Sequence, residues 1–339
     1  MDLGAFLAEW HNADDRVLVH TSGSTGQPKP LWVEKRRMEA SARITCRFLG
    51  LKPGDTALLC MPLDYIAGKM MVVRSLTCGL HLLSVDPSGH PLSNPSLWRE
   101  ALPQNTSLWD GESDVSLSFA AMVPMQVYNS LRVPEERNRL MQIRHLIIGG
   151  GAVDEEMARE LRPFPNAVWS TYGMTETLSH IALRRLSGPE ASEWYTPFES
   201  VKVGLTDEGC LTIEAPAVCD GLLVTNDLAE VCDGRFRILG RRDNVICSGG
   251  VKIQIEDVER VLRQFTHVPF FISKRKDNKF GEVVVMLATS GDFAAMRQLC
   301  EKHLPKYWQP RHYVNVDTLP FTETGKPARR EAEKLASAH

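Results

Sequence analysis

From residue 17 to about residue 168, short apolar runs alternate with stretches whose apolar residues recur at helical spacing. Runs of strand length at 17–20, 56–61, 81–85, 116–122, 143–148 and 168–171 are separated by amphipathic segments at 38–49, 66–78, 125–131 and 155–161. That order predicts strands joined by crossover helices in a mostly parallel sheet, an α/β domain. From about 181 to 238 the runs shorten and are broken by turn signals such as Thr206-Asp207-Glu208-Gly209 and Cys232-Asp233-Gly234, which predicts a β-rich subdomain. A new small unit follows, with strand signals at 245–247, 268–273, 282–289 and 311–316 and helix signals at 255–264 and 296–304. The boundary falls near 241–244, giving a large domain over 1–240 and a small α+β domain over 241–339.

Charge and composition narrow the function. The chain carries 39 Lys and Arg against 42 Asp and Glu, a net charge of −3. So balanced a surface does not concentrate phosphate backbone or anionic lipid, so nucleic acid and membrane are not expected partners. The segment Met1-Asp2-Leu3-Gly4-Ala5-Phe6-Leu7-Ala8-Glu9-Trp10 lacks the basic start and apolar run of a signal, and no stretch approaches the ~18 apolar residues of a membrane span. A cytoplasmic location is expected. None of the eight cysteines forms a CxxC pair, so they read as reduced and mostly buried rather than as zinc ligands or disulfides.

The most informative loop is Thr21-Ser22-Gly23-Ser24-Thr25-Gly26-Gln27-Pro28-Lys29. Gly23 and Gly26 free the backbone to wrap an anion, while the hydroxyls and Lys29 supply donors and charge to phosphate oxygens. It is not a Walker A loop, because Pro28 and Pro30 flank the lysine and a strand-like run follows instead of a helix. On composition alone, a solvated Ser/Thr/Gly turn is an equal reading.

This loop resembles, almost letter for letter, the phosphate loop of the adenylate-forming superfamily of acyl- and aryl-CoA synthetases, luciferases and peptide-synthetase adenylation domains. Other segments match in the same order. Gly149-Gly150-Gly151-Ala152 resembles the loop that lines the adenine and acyl pocket, and Ser170-Thr171-Tyr172-Gly173-Met174-Thr175-Glu176-Thr177 resembles the Tyr-Gly-x-Thr-Glu motif. The resemblance implies Tyr172 against adenine, Gly173 beside it, Thr175 at the α-phosphate and Glu176 on Mg²⁺. Thr225-Asn226-Asp227 is similar to Thr-Gly-Asp, with Asn226 in the glycine position and Asp227 implied on the ribose hydroxyls. Gly240-Arg241-Arg242-Asp243 resembles the hinge motif, implying Arg241 near the ribose and Asp243 as pivot of a mobile C-terminal domain. Ser248-Gly249-Gly250-Val251-Lys252-Ile253 and Pro320-Phe321-Thr322-Glu323-Thr324-Gly325-Lys326 match the remaining motifs, implying the Gly249-Gly250 loop beside the pantetheine channel and Lys326 as the catalytic lysine. Singly, each has a plain reading: a core aromatic, a turn aspartate, a strand-to-helix turn, a surface lysine.

The activity implied is ligation of a carboxylic acid to CoA, with ATP and Mg²⁺, through an acyl adenylate. Thr175, Glu176 and Lys326 are the expected catalytic residues. Around Pro62-Leu63, the helix carrying Tyr65, Ala67, Gly68, Lys69 and Arg74 resembles that of o-succinylbenzoate–CoA ligases of menaquinone biosynthesis, with Val123-Pro124-Met125-Gln126-Val127-Tyr128 downstream. That acid has two carboxylates, and Arg74 is the candidate partner for the one not activated; an arginine snorkelling to solvent is the competing reading. Lys69 and Arg74 do not share one helix face squarely, so one of them is expected to point inward. Another acyl or aryl acid, a carrier-protein thiol in place of CoA, or a nucleotide-binding module without catalysis are the alternatives. Only about twenty residues precede the phosphate loop, fewer than relatives carry, so part of the usual support is expected to be dispensable or replaced by self-association as a homodimer.

Overall fold

The computed structural model describes residues 1–20, 30–94, 99–100, 116–289, 293–322 and 326–338, with backbone only at 99–100. Helix α1 (Leu3–His11) is capped by the Asp2 carboxylate, which accepts the Ala5 N–H at 2.7 Å, and buries Phe6 and Trp10 in the main core. Strands β1 (Arg16–His20) and β2 (Pro30–Glu34) form an antiparallel pair of their own, flanking the 21–29 segment, and helix α2 (Lys35–Leu49) follows.

The main sheet is built from β3 (Thr56–Leu59), β4 (His81–Ser84), β5 (Arg99–Glu100), β6 (Phe119–Met122), β7 (His145–Ile148), β8 (Ala167–Gly173), β9 (His180–Arg185) and β10 (Thr196–Pro197). Its order is β10-β9-β8-β7-β6-β3-β4-β5, with β4, β3, β6, β7 and β8 parallel. Helices α3 (Ile66–Cys78), α4 (Pro124–Leu131), α5 (Pro134–Gln142) and α6 (Glu155–Leu161) make the crossovers. The parallel strands are buried on both faces, as Phe119 to Met122 show, which is why they read as continuous apolar runs. A second sheet, β11 (Lys202–Leu205), β12 (Cys210–Glu214), β13 (Leu222–Cys232) and β14 (Arg235–Arg241), is an antiparallel meander. The C-terminal unit holds β15 (Val245–Ser248), β16 (Val251–Gln254), α7 (Ile255–Arg263), β17 (Phe270–Asp277), β18 (Gly281–Ala288), α8 (Phe293–His303), β19 (His312–Asn315) and α9 (Arg329–Ala338). One apolar core runs from Phe6 to Phe236; two further clusters from Ile246 onward sit on opposite faces of the C-terminal sheet.

Three expectations need correction. The 17–20 strand does not join the parallel sheet. Its outward peptide at Leu18 is occupied instead by side chains: the Glu9 carboxylate accepts the Leu18 N–H at 3.1 Å and the Lys69 ammonium donates to the Leu18 carbonyl at 2.6 Å. The β-rich region starts later than 181, because β9 returns antiparallel beside β8 through a connection too short for a crossover. Helices α1, α5 and α9 escaped the periodicity reading: α5 opens Pro-Glu-Glu and is mostly polar, and α9 buries only Ala332 and Ala336. Of the eight cysteines, all free, Cys232 and Cys247 are exposed and Cys78 is half-buried. No helix among the described residues is long and apolar enough to cross a membrane.

Candidate active site

The loops that follow β3, β6, β7 and β8 lie at the carboxyl ends of parallel strands, where open α/β sheets form their crevices. Gly149 leaves β7 so close to β8 that a Cβ would stand 2.5 Å from the Thr171 hydroxyl, and Gly150 has φ +78°. Gly151 and Ala152 complete this loop ahead of α6. At Gly173 a Cβ would meet the Ser179 carbonyl at 2.3 Å and His180 Cα at 2.4 Å, so only glycine permits the tight reversal into the turn Thr175–Thr177. The Thr177 hydroxyl locks that turn, accepting the Met174 N–H at 3.1 Å and facing the Ser179 carbonyl at 2.8 Å. Thr175 is buried at its start, and Glu176 is exposed with no ion-pair partner among the described residues. No group of three or more His, Cys, Asp or Glu among those residues could cage a metal. A lone carboxylate suits a Mg²⁺ whose remaining ligands are substrate phosphates and water.

Residues far apart in sequence converge beside this turn. The Tyr172 hydroxyl donates to Asp227 Oδ2 at 2.5 Å, and Arg241 Nη1 donates to Asp227 Oδ1 at 3.0 Å. The β13–β14 ladder pairs Asp227 directly with Arg241. Tyr172 is held edge-on to Phe236 (5.0 Å, 78°) and tilted against Tyr195 (5.8 Å), and burial first, then the Asp227 charge, raises its phenol pKa. Asp243 Oδ2 receives both Arg241 Nη2 (3.1 Å) and Asn226 Nδ2 (3.3 Å), so the residue that departs from the usual glycine holds the expected pivot. Lys326 is half-buried and lies within the electrostatic reach of Arg241 and Asp227. Burial first and then the Arg241 charge lower its pKa, while Asp227 opposes them. Its backbone is pinned to Thr322, whose hydroxyl accepts the Lys326 N–H at 3.1 Å and whose own N–H reaches the Lys326 carbonyl at 2.8 Å. Gly249 and Gly250, at φ +57° and +84°, turn β15 into β16.

On α3, Tyr65 stands at the N-cap, bridged to His20, and Ala67 is exposed. Gly68 is buried where a Cβ would lie 2.3 Å from the Pro62 carbonyl. Lys69 and Arg74 both point inward, each 2% exposed, so the snorkelling reading of Arg74 fails. Helical periodicity cannot show this, because α3 is covered all round. Arg74 Nη2 donates to Ser179 Oγ at 2.7 Å, its Nε has no partner, and no carboxylate pairs with it among the described residues. Desolvation pushes its pKa down to about 10. A neutral chain orients it. Thr45 donates to the Ser41 carbonyl, so it accepts from His180 Nε2 at 3.1 Å; Nδ1 then accepts the Ser179 hydroxyl at 3.2 Å. Burial, and next the Arg74 charge, hold the His180 pKa well below the ordinary imidazole range.

The residues Thr21, Ser22, Gly23, Ser24, Thr25, Gly26 and Lys29 lie outside the described residues. Sequence reasoning had missed Thr45, His180 and the structural role of Gln126. The Gln126 amide binds the carbonyls of Cys60 (3.1 Å) and Ser88 (2.9 Å) and accepts the Val123 N–H (3.1 Å), tying three strand-end loops together. Nothing in the sequence singles out a glutamine of that kind.

Residues 6–210 match the family of the AMP-binding enzyme. The chain belongs to that family. Across the whole fold, the chain resembles an AMP-forming acyl-CoA synthetase/AMP-acid ligase II-like protein from Dyadobacter fermentans, at 31% identity and TM-score 0.62, covering 96% of this chain and 91% of the other. It is 25% identical to 2-succinylbenzoate–CoA ligase of Bacillus cytotoxicus over 96% of this chain and 71% of that protein. The same fold is found in o-succinylbenzoate CoA synthetase of Bacillus subtilis in complex with its acyl-adenylate intermediate, at 23% identity and TM-score 0.71, over 93% of this chain and 68% of that one. As an AMP-binding enzyme, the chain has the mixed α/β architecture expected from its motifs.

Proposed function

We propose that this chain is an AMP-forming acid–CoA ligase, dependent on ATP and Mg²⁺, whose acid is o-succinylbenzoate. In this reading residues 1–240 bind acid and nucleotide, and residues 241–339 form a domain that carries Lys326 and pivots at Asp243. The observation that carries the choice of acid is Arg74: a buried guanidinium, held by Ser179, with no anion of its own among the described residues. An unpaired buried cation is costly, and a dicarboxylate substrate supplies the missing charge. The similarity to 2-succinylbenzoate–CoA ligases supports the same acid.

A carboxylate is a poor acyl donor because it would have to expel oxide. In the first step one of its oxygens attacks the α-phosphorus of ATP, the bond to pyrophosphate breaks, and acyl-AMP forms. Asp227, aligned by Tyr172 and Arg241, accepts the ribose hydroxyls, and Tyr172 packs the adenine. Thr175 donates to the α-phosphate, and the 21–29 segment with Lys29 takes the departing phosphates. Glu176 would hold Mg²⁺, which when bound would supply positive charge against the phosphates. Lys326 stabilises the negative charge shared by carboxylate and α-phosphate, a role for which a compact ammonium is suited. In the second step the CoA sulfur attacks the acyl carbon, AMP departs and the thiol proton is released. Lys326 withdraws as the C-terminal domain turns and the Gly249-Gly250 loop borders the thiol's approach.

Mass spectrometry after incubation with ATP, Mg²⁺, CoA and a panel of acids tests this. The expected products are o-succinylbenzoyl-CoA, AMP and pyrophosphate. Thioesters formed chiefly from other acids would refute the choice of acid, and unmodified CoA with every acid would refute the ligase.

A further inference from the structure

We propose that Cys46 and Cys78 form an oxidisable dithiol, a modification site at which a hydroperoxide closes a disulfide between α2 and α3 and thereby loosens the hold of Arg74 on the acid; the effect on the acid rests on the ligase reading above, and the thiol chemistry stands apart from it. The two cysteines are distant in sequence and share no Cys-x-x-Cys motif; the packing of α2 against α3 brings them together. Cys78 closes α3, and its Sγ stands 3.9 Å from the Ala42 carbonyl of α2, so the helices approach here to within one side chain. Cys46 lies one turn further along α2 on the same face as Ala42, and the two thiols share a hydrogen bond. A disulfide needs its Cβ atoms about 4 Å apart, a spacing that thiols in direct contact reach through small side-chain rotations.

The two sulfurs differ in the way such chemistry requires. Cys78 is half-buried and open to a small oxidant, whereas Cys46 is buried. The hydrogen bond from Cys46 first, and the charges of Arg74 and Arg43 with it, pull the Cys78 pKa below the ordinary thiol value against an opposing desolvation. The same hydrogen bond and then burial raise that of Cys46. Burial lifts Cys60, Cys219 and Cys300 as well, which leaves them inert. A partly exposed thiolate in positive surroundings is the nucleophile, and the buried thiol beside it resolves the product. The Cys78 thiolate attacks one peroxide oxygen, the S–O bond forms, the O–O bond breaks and hydroxide or alkoxide leaves, giving a sulfenic acid. The Cys46 sulfur then attacks the Cys78 sulfur, the S–S bond forms, the S–O bond breaks and the hydroxyl departs with the Cys46 proton as water. Two electrons pass from the thiols to the peroxide, and a dithiol reductant reverses the change by exchange.

Both cysteines are attached to the parts that aim Arg74. Arg74 lies one turn before Cys78 on α3, and Thr45, the residue before Cys46, opens the Thr45–His180–Ser179 chain whose last hydroxyl accepts from Arg74 Nη2 at 2.7 Å. A bond between the two sulfurs therefore ties together the two helices whose relative position sets the guanidinium. Drawing the last turn of α3 towards α2 moves Arg74 against Ser179, and the directional contacts of a guanidinium weaken steeply with such a displacement. Tyr172, Asp227 and Arg241, the candidate ATP contacts, belong to β8, β13 and β14 and lie outside the bridged pair of helices.

The test treats the reduced full-length chain with hydrogen peroxide, maps its disulfides by mass spectrometry of an unreduced digest, and reads acid-dependent ATP–pyrophosphate exchange on the same samples. Cys46→Ala and Cys78→Ser are run in parallel, each sufficient if the other fails to fold, and both retain the exposed Cys232 and Cys247 as an internal control for oxidation elsewhere. The expected result in the parent is a Cys46–Cys78 disulfide and a KM for o-succinylbenzoate raised about ten- to hundred-fold, the loss of a charge-assisted contact, with the KM for ATP within about two-fold. Dithiothreitol restores the parent, and peroxide leaves the KM of either variant unchanged. Absence of the disulfide, a disulfide that leaves the KM for the acid unchanged, or an equal rise in the variants would overturn the proposal while exchange in the reduced parent leaves the ligase standing. No exchange in the reduced parent with any acid would overturn the ligase reading and the control of the acid together, and the mapped disulfide then decides the thiol chemistry by itself.

Discussion

Lys69→Met isolates the contact by which one buried ammonium joins α1, β1 and α3. Lys69 donates to the Leu18 carbonyl at 2.6 Å, lies 3.5 Å from Glu9 Oε2 and stands 5.3 Å over the Phe6 ring. Methionine keeps most of the volume and removes the charge, leaving Glu9 Oε2 without any partner and the Leu18 carbonyl unbonded. Breaking a buried ion pair from one side costs about 3–5 kcal/mol. The Glu9 side chain is 20% exposed overall but its Oε2 is shut off from water, so a loss of about 3 kcal/mol or somewhat more is expected. Removing both charges in Lys69→Met with Glu9→Gln leaves mainly the lost carbonyl bond, about 1 kcal/mol. In urea, with a slope of about 3 kcal/mol per molar, the single variant should unfold about 1 M earlier and the double variant should recover most of that shift. A single-variant shift below about 0.3 M, or a double variant no more stable than the single, would refute the reasoning. Because β1 runs directly into the 21–29 segment, the KM for ATP should rise in Lys69→Met as well.

The other predictions concern the site. Lys326→Ala should lower pyrophosphate exchange about 10²–10³-fold with ATP affinity nearly unchanged; parallel loss of both would count against a transition-state role. In the proposed mechanism Lys326 works as a cation, and burial and Arg241 lower its pKa, so exchange should decline as pH rises through a value below that of an ordinary lysine, a limb absent from the Lys326→Ala profile. Arg74→Gln should raise the KM for o-succinylbenzoate about ten- to hundred-fold and leave that for ATP alone, and equal effects on both would argue for a purely structural arginine. Gly173→Ala forces a Cβ into backbone 2.3 Å away and should cost about 1–3 kcal/mol in urea unfolding together with activity; a neutral variant would show that the reversal can relax.

Legibility of the fold followed the range of the forces involved. The strands at β3, β4 and β7 were readable because continuous apolar runs record burial on two faces, and α3 and α6 were readable end to end from their apolar spacing. The polar α5 and the small-residue α9 bury too little to leave a pattern. At the site, Tyr172, Asp227, Arg241 and Lys326 were legible through their motifs. The Thr45–His180–Ser179 chain behind Arg74 was not, since α2 supplies one end and the β8–β9 turn the other.

The order of elements and the chemistry available at each loop are properties of the sequence, because helix and strand periodicity and turn glycines act over a few residues. Tertiary structure alone decided which groups meet. It turned Lys69 and Arg74 inward, gave the edge of β1 away from β2 the side chains of Glu9 and Lys69 in place of a second strand, and set Asp227 between Tyr172 and Arg241. Those outcomes depend on desolvation and pairing between segments distant in the chain, and such energies exist only once the core has closed around them.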